Sequence, residues 1–359
     1  MADFTQLINE NACRIEYDCQ DMPFHIACSA HSANLAIGDT INKCTEVKNA
    51  IEIFRDYSKK LRTPTSMRVL QENNQNMALL DVSTRWSSLY NMLLRLAQLK
   101  PFTSSLPDHL FSGKNMTESN WEDMMEFIEV LKPTAILMKN LQNVHISLSD
   151  VFAYWTGAIL SLQELQTVQP ESPFLDTMLD NVQERFKYVS SNPMMLASVY
   201  LDPRYQLLLD SAEKDKAIDY LTKLHMTCSQ VEIYQPPMNQ INNLPHAGLS
   251  SLEQFLRTKE VPPTDSVLTD AVTNIRKRLI DFGKNPRQPS TSSLLSFWEE
   301  NKSKHFELHS LAVIIHTSPG TEVKIERNFS TLKFVLNRLR NNLSDYDLEK
   351  ILIIKFNTK

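Results

Sequence analysis

What most constrains this chain is the return of apolar residues every three or four positions through long stretches of its first half. The runs are "TEVKNAIEIFRDYSKKL" from Thr45, "STRWSSLYNMLLRLAQL" from Ser83, "SNWEDMMEFIEVLKPTAILMKNLQ" from Ser119 and "SLSDVFAYWTGAILSLQELQTV" from Ser147. At 3.6 residues per turn this spacing gathers the apolar set on one side of a helix, whereas a strand would scatter it over both faces. Ser83, Ser119 and Ser147 or Ser149 stand ahead of these runs, where a hydroxyl can accept from the free N–H groups of a first turn. The best strand candidate is the short apolar run "FHIACSA", Phe24 to Ala30. The pattern therefore predicts a mainly α fold.

Composition agrees. There are only 6 glycines in 359 residues, 42% of the chain is hydrophobic, and no run of eighteen apolar residues occurs, which predicts a globular chain that does not span a membrane. The length allows two or three domains. The opening "MADFTQLINENACRIEYD" has no basic segment followed by an apolar block, so no secretory signal is expected there. Five unevenly spaced cysteines, Cys13, Cys19, Cys28, Cys44 and Cys228, argue against a disulfide framework and for a reducing compartment.

Two polar, proline-bearing stretches interrupt the helical pattern, Ser229 to Gly248 and Gly283 to Ser293, and both are expected to be insertions or linkers. Charge is uneven. Residues 271–359 hold 15 Lys and Arg against 9 Asp and Glu, while the rest of the chain is acidic. That surplus permits contact with phosphates, and it equally suits solvated helix faces; "IRKRL", Ile275 to Leu279, has the same two readings. The terminal part carries three apolar stripes. Leu308, Leu311, Ala312, Ile314 and Ile315 form the first, and Phe329, Leu332, Leu336 and Leu339 the second. Leu348, Ile351, Leu352 and Phe356 follow Ser344 as the third. An ordinary core would explain any one of them, but three in about fifty residues are hard to bury against each other alone, which points to an intermolecular partner.

In order along the chain stand "CSAH" (Cys28 to His31) with "NLAIGD", "TRWSSLYNMLLRL" from Thr84, "LDPRY" (Leu201 to Tyr205) and "IERNFSTLK" from Ile325. Together they resemble a hAT-superfamily transposase from Cys28 to Ser330, over most of the chain. The resemblance implies a ribonuclease-H-like α/β core interrupted by a large helical insertion, and a C-terminal dimerisation region marked by Ser-Glu-Arg-x-Phe-Ser. Here Ile325 replaces the leading Ser of that motif.

The resemblance also implies a chemistry: DNA strand cleavage and transfer by two divalent cations held by three carboxylates. Glu326 matches the third, helix-borne acid. The family's two aspartates lie ahead of the Cys-x-x-His segment, the second in a motif like Asp-Asn-x-x-Asn-Met. Met1 falls about where that motif would end, so both are expected to be missing from a truncated chain and Glu326 to be a remnant. Asp3, Glu10, Glu16, Asp18 and Asp21 lack the apolar strand that would position them as substitutes. No cofactor is expected, Mg²⁺ or Mn²⁺ entering only if the aspartates are supplied. No upstream zinc finger is seen in these residues.

Other residues have two readings each. Cys28 and His31, with Cys13, Cys19 and His25 upstream, do not match a zinc spacing; a buried thiol and a hydrogen-bonded imidazole are expected, and the resemblance places the pair beside the active site. Trp86 beside Arg85 in the Thr84 motif suits a base stacked on indole with phosphate held by guanidinium. It equally suits an anchor for the helix carrying Leu89, Leu93 and Leu96. Arg327, Arg338 and Arg340 join Arg85 and Trp86 as DNA-contact candidates on the basic C-terminal part. In "LDPRY", Pro203 fixes φ and Asp202 can cap the next turn, so Asp202, Pro203 and Arg204 are expected to be structural.

The expectation is a remnant of a ribonuclease-H-like core in residues 1–42, a helical insertion domain in 43–282, and a dimerisation region in 283–359 that completes the core. Its function would be self-association without catalysis, as a homodimer or a heterodimer with a related transposase. It would reside in the nucleus with DNA as a further partner and no membrane. The alternative is a fragment of an active or regulatory transposase.

Overall fold

A computed structural model describes residues 28–82, 87–103, 115–143, 146–233 and 265–321, together with Lys350. Among these residues there is no strand. The helices are α1 (Ser29–Lys43), α2 (Thr45–Lys60), α3 (Pro64–Glu72), α4 (Ser88–Thr103), α5 (Glu118–Leu141) and α6 (Leu148–Val168). They continue as α7 (Pro173–Ser190), α8 (Pro193–Tyr200), α9 (Ser211–Ile233), α10 (Asp265–Phe282), α11 (Leu294–Asn301) and α12 (Phe306–His316). The mainly α expectation is met, and the α/β part of it has no counterpart among the described residues. Within the run Phe24 to Ala30, Ser29 and Ala30 open α1 instead of ending a strand. The small side chains of Ala30, Ala33 and Ala36 recur at helical spacing and are all buried, which lets α1 lie close on α5 and α7. The expected break at Ser229 is also displaced, because α9 runs on to Ile233.

Local chemistry sets the helix starts. α5 begins at Thr117, whose Oγ1 accepts from the Asn120 N–H while Asn120 returns a bond to the Thr117 N–H, so Ser119 lies inside the first turn. α6 begins at Ser147 by the same reciprocal bonding with Asp150. Proline at the first position opens α7 and α8, where its missing N–H costs nothing.

The core is built around α8. Met195 through Tyr200 are all buried, the mark of a helix with no solvent face, and it packs against α6, α7, α9 and α12. Trp155 on α6 stacks on Phe186 of α7 at 6.0 Å, and Phe127 of α5 meets Phe174 of α7 edge-on at 5.1 Å. After α10 the chain turns at Gly283, where a Cβ would stand 2.5 Å from the Tyr200 hydroxyl; that hydroxyl donates to the Leu279 carbonyl at 2.8 Å. The 283–293 stretch is non-helical, as expected, and is tied down by the Gln288 N–H donating to the Pro203 carbonyl at 2.9 Å. α12 then closes over α6, α8 and α9, so the first helices of the C-terminal region are built onto the central bundle.

Candidate functional site

The most polar place in this interior is the corner where α8 ends. Leu201 to Tyr205 turn sharply: Pro203 holds its φ, and Asp202 Oδ1 accepts from the Arg204 N–H at 2.9 Å, an Asx-type turn. Asp202 is 0% exposed. Its carboxylate accepts from Arg204 Nε at 3.0 Å and Nη2 at 2.7 Å, and from Ser149 Oγ at 2.6 Å. Arg204 Nη2 also donates to Asp150 Oδ1 at 2.9 Å, and the guanidinium lies over the Tyr205 ring at 4.7 Å. Asp150 Oδ2 accepts from the Ser147 N–H and hydroxyl. One cation thus serves the buried Asp202 and the largely enclosed Asp150, 52 residues apart in sequence, joining the start of α6 to the end of α8.

Burial opposes the Arg204 charge, but its hydrogen bond to Asp202 and the charges of Asp202 and Asp150 outweigh it and hold the guanidinium above its ordinary range. Tyr205 is pushed up to about 12, mainly by burial. Against this cluster stands His316, the last residue of α12. Burial pulls its imidazole down to about 4, the two aspartates and Arg204 acting in opposite directions. Part of the residue reaches solvent, yet both ring nitrogens are enclosed and neither has a hydrogen-bond partner among the described residues. The enclosure of the nitrogens governs the proton, so His316 is neutral in the folded chain.

His316, Asp150 and Arg204 all line a cavity of about 700 Å³. Gln142, Asn143, Ile146 and Ser147, ahead of α6, line one part of it. Leu294, Leu295 and Trp298 of α11 with Ala312 and Val313 of α12 line another, and Gly320 closes one end. A Cβ on Gly320 would stand 2.7 Å from Val151 Cγ2, so only glycine lets the chain pass this close to α6. Trp298 is buried and stacked on Phe282 at 5.4 Å, and its N–H also lacks an acceptor among the described residues.

Of the residues singled out from sequence, the structure brings Asp202, Pro203 and Arg204 into this corner. Cys28 sits half-buried just ahead of α1, so the expected buried thiol is only partly enclosed, and His31 is exposed on that helix. The reason is register: Ala30 and Ala33 take the inward positions of the first turn. In the dimerisation set, Leu311 at 2% and Ile315 at 0% exposure are buried within this chain, while Ile314 is 40% exposed. The first stripe is therefore divided between the chain's own core and its surface. Thr84, Arg85 and Trp86 lie outside the described residues. So do Glu326, Arg327, Phe329, Leu332, Leu336, Arg338, Leu339, Arg340, Ile351, Leu352 and Phe356. Arg55 Nη2 pairs with Asp81 at 2.5 Å and Ser88 Oγ donates to the same carboxylate, lining a second cavity of about 310 Å³.

Sequence reading missed Asp150 and His316, and gave Ser149 only a capping role, whereas its hydroxyl donates to Asp202. Ser147-x-x-Asp150 was visible as a capping box, but nothing local shows that its acid also reaches Arg204. The described residues contain no group of three or more His, Cys, Asp or Glu able to hold a metal ion, and no helix long and apolar enough to cross a membrane.

Comparison with known families gives two matches. Residues 277–358 match the hAT family C-terminal dimerisation region, and residues 26–130 match the ZBED1 RNase-like helical domain. Among individual proteins, the chain is 22% identical over 351 residues to Zinc finger BED domain-containing protein 4 of Homo sapiens, covering 92% of this chain and 29% of that protein. It is 22% identical over 306 residues to Zinc finger BED domain-containing protein DAYSLEEPER of Arabidopsis thaliana, covering 79% of this chain and 41% of the relative. The chain thus spans well under half the length of these relatives. The C-terminal match that includes α11 and α12, the match of residues 26–130 and these relatives support a transposase-derived protein of the hAT family.

Proposed function

We propose that the chain self-associates through its C-terminal region, as a homodimer or with a related transposase, and acts as a nuclear interaction protein without cleaving DNA. The observation that carries this reading is the apolar surface of α11 and α12 within the matched dimerisation region. Leu295 is 73%, Phe306 65%, Val313 48% and Ile314 40% exposed, on helices whose other faces are anchored in the core. Apolar side chains clustered so densely on a folded surface are stabilised by a partner that removes them from water. Phe329, Leu332, Leu336, Leu339, Ile351, Leu352 and Phe356, from the same matched region, are assigned to self-association in this reading.

Catalytic silence is supported by how the buried acids are used. Asp150 and Asp202 are both bonded to Arg204 and serine hydroxyls, an arrangement that leaves them no freedom to bind a divalent ion. Glu326 is read here as a remnant of the family's third acid, and no cofactor is proposed. A nuclear site follows from the BED zinc-finger names of the relatives, with DNA as a further partner through Arg85, Trp86, Arg327, Arg338 and Arg340. Cys28 and His31, in this reading, are a structural remnant. The ribonuclease-H-like core and the boundaries near residues 42 and 282 belong to the same proposal.

The test is light scattering on the full chain and on Leu332→Asp with Leu336→Asp. The parent should have a concentration-dependent mass approaching twice that of the chain, and the double variant should stay monomeric. A variant with the parent's mass contradicts the assignment of that surface. The second reading, a strand-cleaving transposase, is favoured by the match of Glu326 to the family motif. It predicts Mg²⁺-dependent nicking of DNA that Glu326→Gln abolishes, and the present reading predicts no such activity in either form.

A further inference from the structure

Two buried polar side chains line the cavity beside α12 with nothing to bond to among the described residues: the His316 imidazole and the Trp298 indole N–H. Interior polar groups are almost always paired, and an unpaired one weakens the fold that holds it. Both lie in the matched dimerisation region, and the cavity continues into the exposed apolar surface through Leu295 and Val313, which line it. The space that would complete these bonds is therefore continuous with the surface assigned to self-association. We propose that this cavity is a seat in which a second copy of the chain inserts an apolar segment carrying a side-chain amide, and that His316 and Trp298 select it. This rests on the self-association reading and adds the place and chemistry of the contact.

The amide follows from what the seat offers. A neutral imidazole presents one N–H and one acceptor nitrogen, and the indole presents one N–H. An inserted group must bring both an acceptor and a donor, which asparagine or glutamine does with its carbonyl and NH₂. A carboxylate brings acceptors alone and meets the wrong field: Asp150 and Glu299 line the seat with one cation, Arg204, which also serves the buried Asp202 behind it. Arg204 already gives its Nε and Nη2 hydrogens to those aspartates. A lysine or arginine would suit the acidic lining but would present only donors to the indole N–H. The apolar walls, Ile146, Leu294, Ala312 and Val313, suit aliphatic residues on either side of the amide.

The experiment measures self-association by sedimentation for the full-length parent, Leu295→Asp with Val313→Asp, and His316→Phe, with thermal unfolding of each at high dilution. The Asp pair alters exposed positions, so the monomer should remain folded, and its dissociation constant should rise by at least about thirtyfold. His316→Phe should raise it by about tenfold while unfolding at no lower temperature than the parent, because phenylalanine fills the space without unpaired nitrogens. His316→Gln, which keeps a donor and an acceptor, should lie closer to the parent. A parent that associates while both variants keep its dissociation constant overturns the seat but leaves self-association standing through another surface. A parent that is monomeric at every concentration overturns both. Slow deuteration of the His316 ring carbon already present in the dilute monomer, and unchanged on association, would mean that the chain fills the seat itself and would also overturn the proposal.

Discussion

Replacing Arg204 by Met should be among the most damaging single changes available in the described part of this chain. Arg204 is the cation for Asp202, whose side chain is 0% exposed, and for Asp150, at 14%. Met matches much of its volume but its side chain donates nothing, so the two carboxylates remain held by the Ser149 and Ser147 hydroxyls and two backbone N–H groups. Breaking a buried ion pair by removing one partner costs roughly 3–5 kcal/mol, because the remaining charge stays desolvated. For a chain of this size, at roughly 2 °C per kcal/mol, the unfolding midpoint should fall by roughly 6–10 °C. Urea unfolding followed by far-UV circular dichroism would measure the loss directly. Adding Asp202→Asn to Arg204→Met should recover at least about 1 kcal/mol, since one stranded charge is then removed. A loss below about 1 kcal/mol for Arg204→Met, or no recovery in the double variant, would refute the view that this cluster joins α6 to α8.

His316 makes stability depend on pH. Its folded-state pKa of about 4 lies below the unfolded value of about 6.5, so the unfolded chain binds more protons between those limits. The stability of neutral His316 is therefore fully present above about pH 6.5 and is lost as pH falls towards 4, by on the order of 3 kcal/mol. Urea midpoints at the two ends of that window should differ less for His316→Phe than for the parent; equal differences would contradict it. Gly320→Val should destabilise by about 1–3 kcal/mol, since its Cβ would lie 2.7 Å from Val151 Cγ2. Gly157→Ala, inside α6 with nothing within 4 Å of the added carbon, should instead stabilise by about 0.5–1 kcal/mol. Thr117→Ala should cost about 1 kcal/mol of thermal stability and Ser119→Ala little, because only Thr117 caps α5; equal effects would contradict that start.

Helices were legible in the sequence wherever an apolar stripe was long. Thr45–Lys60, Glu118–Leu141 and Leu148–Val168 fall within a residue or two of the periodic runs, because side-chain burial at 3.6-residue spacing is itself what forms them. Starts were less legible. Ser119 looked like a cap, but Thr117 two residues earlier has Asn120 at the reciprocal position, and such bonding depends on backbone geometry as much as residue type. Ser29 and Ala30 read as the end of a strand because a short apolar run has the same look in either structure until its packing partners are known. The C-terminal stripe shows a further limit: Leu311 and Ile315 turn inward on α8 and α9 while Ile314 does not, which periodicity alone cannot divide between a core and a partner. At the corner, "LDPRY" declared its turn through Pro203 and Asp202, yet the link of Arg204 to Asp150 spans 54 positions and leaves no local trace.

The measurement that tests the central claim most directly is the mass of the parent chain by sedimentation equilibrium, followed from nanomolar to micromolar concentration at neutral pH. Self-association through the C-terminal region predicts a reversible rise from the 41.3 kDa chain towards twice that mass, abolished by Leu295→Asp with Val313→Asp and Leu332→Asp with Leu336→Asp combined. A mass that stays at 41.3 kDa throughout, with the chain folded, would contradict it.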